Sequence, residues 1–198
     1  ATDFVLTDNG TRQRVEMVDP TAMPMDVTLV IDLSRGTGSV GTTRLSSETL
    51  QRQLREHVAS VRETLRPTDR LQVLTSDTYV KQIIPMQFAS AIDPGTIAPP
   101  PDVLGQSSTY DALVAAMLRP SEPDRRHLVI AWVKPVDTVS LSDSAVVRDV
   151  AQLTDVALHI VERDVARLPA ITAGNAIGAM VARLMRSGGE AASYSPDG

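Results

Sequence analysis

An α/β domain built on a doubly wound, mostly parallel sheet is the fold class this sequence predicts, and three observations predict it. Residues 27–31 and 127–133 are continuous apolar runs rich in β-branched side chains, as expected of strands buried on both faces. Such runs alternate with segments whose apolar residues recur at helical spacing, which is the pattern of strand–helix–strand units. The carboxylate of Asp32 and the hydroxyl of Ser34 follow directly on the first run, where open α/β sheets place their ligands.

Taken in chain order, residues 4–6 and 12–18 flank Asp8-Asn9-Gly10, and Asn-Gly is the strongest short hairpin signal because both turn residues tolerate positive φ. An N-terminal β-hairpin is expected, followed by a linker marked by Pro20 and Pro24, so that residues 1–23 precede the main domain at 24–198. Ser46 and Ser47 are good helix caps, and Leu50, Leu54, Val58, Val61 and Leu65 line one helical face that ends before Pro67. Residues 71–75 read as a strand, 76–78 as a tight turn, and 79–84 as a strand returning antiparallel. Residues 85–105, with Pro85, Pro94 and the run Pro99-Pro100-Pro101, resist regular structure and are expected to form the longest irregular connection. A short helix over 110–118 stops at Pro120, and the strand at 127–133 follows. Ser142 or Ser144 is expected to cap a helix running through Leu153, with a buried strand at 156–161 after it. A last helix at about 175–186 is closed by Gly188-Gly189, and residues 190–194 can begin one more strand.

Composition narrows the function classes. Aromatic residues make up 3% of the 198, too few for the stacking platforms that hold single-stranded nucleic acid, so the core must be aliphatic. Nineteen Lys and Arg against 24 Asp and Glu give a formal charge of −5, so no global field draws in phosphates, and pairs such as Arg125 with Arg126 read as surface. The absence of cysteine removes disulfides, thiolate metal sites and a thiol nucleophile without fixing the compartment. No run is long enough to span a bilayer and no signal peptide is visible; the start at Ala1 leads us to expect a processed form or an excised piece.

The order of these pieces resembles the von Willebrand factor type A domain over residues 24–198. Asp26-Val27-Thr28-Leu29-Val30-Ile31-Asp32-Leu33-Ser34 looks like that family's first strand running into its Asp-x-Ser-x-Ser motif. Residues 69–75 look like its second strand, and Gly105-Gln106-Ser107-Ser108-Thr109-Tyr110-Asp111-Ala112-Leu113 resembles its Gly-Gly-Thr loop with the helix start that follows. Residues 127–133 resemble the strand ahead of its Thr-Asp-Gly motif, and the Asp3-Phe4 hairpin with Gln13 looks like the one preceding the domain in a bacterial, acidobacterial-type subfamily. The resemblance implies a Rossmann-like fold, an extracytoplasmic (periplasmic or secreted) location, and a metal-ion-dependent adhesion site above the sheet.

Carried over residue by residue, Asp32 and Ser34 match the first two metal ligands and Ser107 the Thr position, with Thr109 competing for it if the loop is shifted. Gly36 stands where a second Ser is expected, and Val133-Lys134-Pro135 stands where Thr-Asp-Gly is expected, so a lysine replaces a carboxylate. An ammonium about 4 Å from a divalent ion is repelled by roughly 4 kcal/mol per unit of the ion's charge at an effective dielectric of 20. The expectation is therefore a degenerate site without a cofactor, weak Mg or Mn binding aside, in which Lys134 pairs with Asp32. Arg35, Gly36, Thr37, Thr109, Lys134 and Asp137 then present a surface to a protein partner that the sequence does not identify.

The same residues also fit rival readings. Residues 36–41 spell Gly-Thr-Gly-Ser-Val-Gly, a dinucleotide-type glycine pattern, but Asp32 and Ser34 intervene after the strand and no acid ends the next strand at the usual distance. Catalysis has little support: His57 reads as an exposed helix residue, His127 as a strand start and His159 as a core or strand-end residue, none spaced for a triad or metal. Asp111 is expected at a helix N-terminus, and Trp132 as a core anchor. A non-enzymatic interaction module leads, a structural domain with no ligand at the former metal site comes second, and a nucleotide-binding protein or enzyme third.

Overall fold

In the computed structural model, the residues described are 5, 7–13, 22–34, 47–101, 103, 106–120, 122–133 and 137–162. They form a small hairpin and a mixed five-stranded sheet with helices on both faces.

The hairpin joins β1 (Thr7–Asp8) to β2 (Thr11–Arg12) through Asn9 and Gly10, whose φ angles of 47° and 78° supply the two positive values that a type I′ turn needs. Pairing is confined to Thr7 with Arg12 and Asp8 with Thr11. Of the longer expected flanks, residues 4, 6 and 14–18 lie outside the described residues.

The sheet is organised around β3 (Met25–Asp32), every residue of which is buried. On one side it pairs in parallel with β4 (Arg70–Ser76), which turns back into the antiparallel edge strand β5 (Val80–Phe88). On the other side it pairs in parallel with β6 (Arg126–Val133), and β6 with β7 (Val156–Glu162), giving the order β5-β4-β3-β6-β7. The chain moves outward in one direction from β3 and then returns to its other side, so the carboxyl ends of β3 and β6 flank the switch point where such sheets open a crevice.

Side-chain alternation along β3 and its neighbours builds two cores. Val27, Leu29 and Ile31 point to one face with Leu71, Val73, Leu128 and Ile130, and α1 (Ser47–Thr64) covers them with Leu54, Val58 and Val61. Val30, Leu74, Val129 and Ala131 point to the other, covered by α2 (Thr109–Met117) and α3 (Ser144–Leu153) through Ala112, Leu113, Met117 and Val147. Each fully buried aliphatic side chain contributes about 1.5–3 kcal/mol of transfer free energy. The continuous apolar runs of β3 and β6 follow from this, since both faces are dry.

Three local expectations are corrected. Residues 85–88 continue β5, and two single 3₁₀ turns, Ala89–Ala91 and Pro94–Thr96, break up the segment expected to be irregular. Pro85 is tolerated because β5 is an edge strand, where a missing N–H costs no ladder bond on the open side. The cap of α3 is Asp143 rather than either serine: its carboxylate accepts from the amides of Ala145 and Val146, both at 2.9 Å. His57 is buried at 4% exposure instead of facing solvent, because it lies three residues after Leu54 and four before Val61, on the apolar face of α1, where its ring stacks on Trp132 with centroids 4.2 Å apart. The helix expected at 175–186 and the strand at 190–194 lie outside the described residues.

At the amino end of the sheet, the strands are fastened by charge. Asp26, buried, accepts from Arg125 Nε at 2.6 Å and Arg70 Nε at 2.8 Å, with Arg70 Nη2 and, at 3.4 Å, Arg119 Nη1 on its other oxygen. Asp69, fully buried, accepts from Met25 N at 2.8 Å and from Arg66, closing the α1–β4 connection against the start of β3.

Candidate functional site

The carboxyl ends of β3, β4 and β6 face the loop that precedes α2 and the loop that follows β6. Asp32 is the last residue of β3 and shares a face with Val30, so its carboxylate points toward the α2 side of the sheet. There it is 2% exposed and acts first on its own loop, with Oδ1 accepting from Ser34 N at 2.7 Å. Ser107 approaches from the loop before α2, its Oγ 3.4 Å from Asp32 Oδ2 and 2.8 Å from Thr109 Oγ1. One proton order satisfies both contacts: Thr109 donates to Ser107, and Ser107 donates to the carboxylate. The sequence left Ser107 and Thr109 competing for one position; the fold uses both, in a relay ending on Asp32.

Ser76, expected to open the tight turn at 76–78, belongs to the strand and to the site. It ends β4 in register with Asp32, placing the two side chains on the same face of adjacent strands, and its backbone carbonyl accepts from Leu33 N at 2.8 Å. Its hydroxyl is buried and, among the described residues, makes no hydrogen bond; the same holds for the hydroxyl of Ser108. Aligning the ends of the two parallel strands would have found Ser76, since the first residues after an apolar run at a switch point are site candidates on every strand.

The loop 137–142 is held against α2 by a reciprocal exchange. Asp137 accepts from Tyr110 N at 2.8 Å, in the first turn of α2, and from Ser140 N at 3.0 Å and Ser140 Oγ at 2.6 Å. Asp111, one residue after Tyr110, accepts from Leu141 N and Ser142 N, both at 2.9 Å. Thr138 and Val139 donate their amides to the Ser107 carbonyl at 2.9 and 3.0 Å, and Ser107 N donates to Thr138 Oγ1 at 2.9 Å. Asp137, expected on the interaction surface, thus turns its carboxylate inward to position the loop. Burial pushes the Asp111 carboxyl up, but the amides of Leu141 and Ser142 outweigh it and hold the pKa below the ordinary range. Leu141 itself stands 99% exposed on this fixed backbone.

Asp32, Ser34 and Ser107 therefore meet, while Thr109, expected on the interaction surface, is 4% exposed and turned to Ser107; Arg35, Gly36, Thr37 and Lys134 lie outside the described residues, as does the expected contact of Lys134 with Asp32. Among the described residues no three of His, Cys, Asp and Glu are grouped so as to hold a metal ion. The described donors are one carboxylate and neutral hydroxyls, with the carboxylate of Asp137 committed to amides and a hydroxyl. His127 and His159 stand apart from this site: His127 is buried on β6 with Nε2 3.1 Å from Thr28 Oγ1, and His159 lies within β7.

Comparison with known proteins places the architecture. No family model matches the chain, and no curated protein sequence matches it. Among solved structures, proximal thread matrix protein 1 from the mussel byssus superposes with a TM-score of 0.59 at 11% identity, over 83% of this chain and 47% of that one. The pilus adhesin SpaC from Lactobacillus rhamnosus GG gives 0.53 at 12% identity, over 84% and 30%. The ArnB paralog VWA2 from Sulfolobus acidocaldarius gives 0.50 at 10% identity, over 71% and 35%. The fold is that of a von Willebrand factor type A domain, and the chain spans less than half the length of each of these three structures. No described helix is long and apolar enough to cross a membrane.

Proposed function

We propose that this domain is a non-enzymatic protein-interaction module of the adhesion type, with a degenerate site that works without a metal ion. The observation that carries the reading is the Asp32–Ser107–Thr109 relay at the switch point of the sheet: it keeps the position of an adhesion site, with its carboxylate already accepting from Ser34 N and Ser107 Oγ. In the sequence, Lys134 occupies the place of the second carboxylate, and we assign it the role of counter-charge to Asp32. We assign the recognition surface to segments 34–45 and 134–142, with Arg35, Gly36, Thr37 and Lys134 as its contact residues; Thr109, 4% exposed, supports it from within, and residues 85–91 lie toward the opposite end of the sheet, where Ala89 N donates to the Asp69 carbonyl at 3.0 Å. The partner is a protein of unidentified sequence, met outside the cytoplasm. Support comes from a solved neighbour in fold being a pilus adhesin.

Calorimetry and thermal-shift titrations with MgCl₂ and MnCl₂ test the metal-free part. The expected result is no saturable binding by wild type; a micromolar site that vanishes in Asp32→Ala overturns it. Pull-downs with wild type against Arg35→Ala and Lys134→Ala test the surface, the variants being expected to lose a partner that wild type retains. Equal capture by all three favours the purely structural reading.

A further inference from the structure

We infer that the foot of the sheet, at the end opposite the rim, binds one carboxylate group through the Arg119 guanidinium and Nδ1 of His127. The site is independent of the interaction surface proposed above.

Charge points to an anion. The guanidiniums of Arg70, Arg119 and Arg125 gather on the single buried carboxylate of Asp26. Among the described residues the other acid paired with them is Glu122, 55% exposed, so one positive charge stays in excess. It falls on Arg119. Arg125 spends its donors on Asp26 Oδ1 at 2.6 Å and on the carbonyls of Met25 and Thr68 at 3.0 and 2.9 Å, and Arg70 is shared between Asp26 and Glu122. Arg119, just beyond the end of α2, reaches only Asp26 Oδ2, with Nη1 at 3.4 Å, on an oxygen that already accepts from Arg70 Nη2. Its side chain is 23% exposed, so a fork of five donors is largely withdrawn from water and keeps one long bond among the described residues.

Geometry adds a second donor in the same corner. His127 on β6 is the register partner of Asp26 on β3, which sets its ring beside the carboxylate that Arg119 touches. The ring is 5% exposed; Nε2 lies 3.1 Å from Thr28 Oγ1, and Nδ1 makes no hydrogen bond among the described residues. The alternative acceptor for the Thr28 hydroxyl, Gln72 Oε1, is 3.5 Å away, so the hydroxyl proton serves Nε2 and the ring's own proton stays on Nδ1. Burial and then the Arg119 charge hold this ring neutral, against the pull of Asp26. A buried N–H without an acceptor is costly, and the neighbouring guanidinium has donors to spare. A carboxylate carries the one negative charge that the corner lacks and an oxygen for each donor, with the charge-assisted bonds that a guanidinium favours.

Thermal unfolding tests the site with sodium acetate and with a capped Gly-Glu-Gly tripeptide, each against sodium chloride at equal ionic strength. A saturable rise of about 3–6 °C for wild type in acetate at about ten times its Kd assigns the site to a small free carboxylate. A rise of that kind with the tripeptide alone assigns it to an acidic side chain of a protein. The responding probe must lose its effect on both Arg119→Gln and His127→Gln, the second of which keeps an amide for Thr28 and nothing at the Nδ1 position. Arg119→Gln gives up a single long contact and is expected to melt in chloride much as wild type does, so a lost response there is not a lost fold. No rise beyond chloride with either probe, or a rise that survives either substitution, overturns the inference and leaves the interaction module standing.

Discussion

Asp111 and Asp137 cap each other's segments: Asp137 takes the Tyr110 amide at the start of α2, and Asp111, one residue further on, takes the amides of Leu141 and Ser142 in the loop that carries Asp137. Both carboxylates are engaged by the loop and the helix start. The pair makes the loop after β6 an extension of the helix end, with negative charge at an N-terminus where the helix field favours it.

Removing either side is expected to cost about 0.5–2 kcal/mol, the range for losing a carboxylate that caps part-buried or exposed backbone amides. The two losses should add to less than their sum in Asp111→Ala/Asp137→Ala, because each holds the same loop. Urea unfolding of the two single variants and the double variant measures this, and strict additivity would mean that the loop is held elsewhere.

A larger effect is expected at the opposite end of the sheet. Asp26→Ala leaves Arg70 and Arg125, whose side chains are only 16% and 14% exposed, without their shared acceptor, and should destabilise by about 3–5 kcal/mol. Glu122 also pairs with Arg70, at 2.7 Å, but is 55% exposed, so Glu122→Ala should cost at most about 1 kcal/mol. Equal effects of the two substitutions in denaturant melts would contradict the burial argument.

Stability should fall with acid in two stages. Burial lowers the His127 pKa from 6.5, the Arg119 charge lowers it further, and Asp26 opposes both; burial alone lowers that of His159. The fold thus holds these rings neutral, a contribution complete above pH 6.5 and lost as pH drops through that value toward the folded-state pKa. Asp26 is pushed up by burial, but hydrogen bonds and charge from Arg70 and Arg125 prevail and hold it below 3.8, so its share is complete above that pH and lost below it. Stability measured against pH should show both descents, and His127→Gln should flatten the upper one.

Trp132 is the only tryptophan, 3% exposed, and stacked on His57. Its emission is expected to be blue-shifted, poorly quenched by acrylamide, and changed in intensity by His57→Leu, with a stability change of about 1 kcal/mol for the lost ring pair. Emission unaltered by the substitution would mean that the two rings do not share a contact in solution.

The strands and α1 were legible because their signals are physical necessities: a strand covered on both faces must be apolar throughout, as residues 27–31 and 127–133 are, and a helix lying on a sheet must repeat near 3.6. Asn9-Gly10 announced its turn because positive φ is cheap for that pair. What the sequence hid depended on neighbours. Pro85 looked like a breaker until β5 proved to be an edge. Asp143 outcompeted two serines that flank it for the same cap. His57 is polar, yet its spacing from Leu54 and Val61 puts it on the buried side of α1. At the site, Asp32, Ser34 and Ser107 were visible from the order of motifs, while Ser76 and the clamp by Asp111 and Asp137 required knowing which strand ends and loops adjoin.

Leu141 carries a kinetic consequence. Its side chain is wholly in solvent, yet its own amide is tied to Asp111. A partner with an apolar pocket for it would not wait for a loop to order, so association should run at the rate of rigid docking, about 10⁵–10⁷ M⁻¹s⁻¹. Trimming Leu141 to alanine would then shorten the lifetime of the complex and leave the frequency of productive encounters nearly as it was.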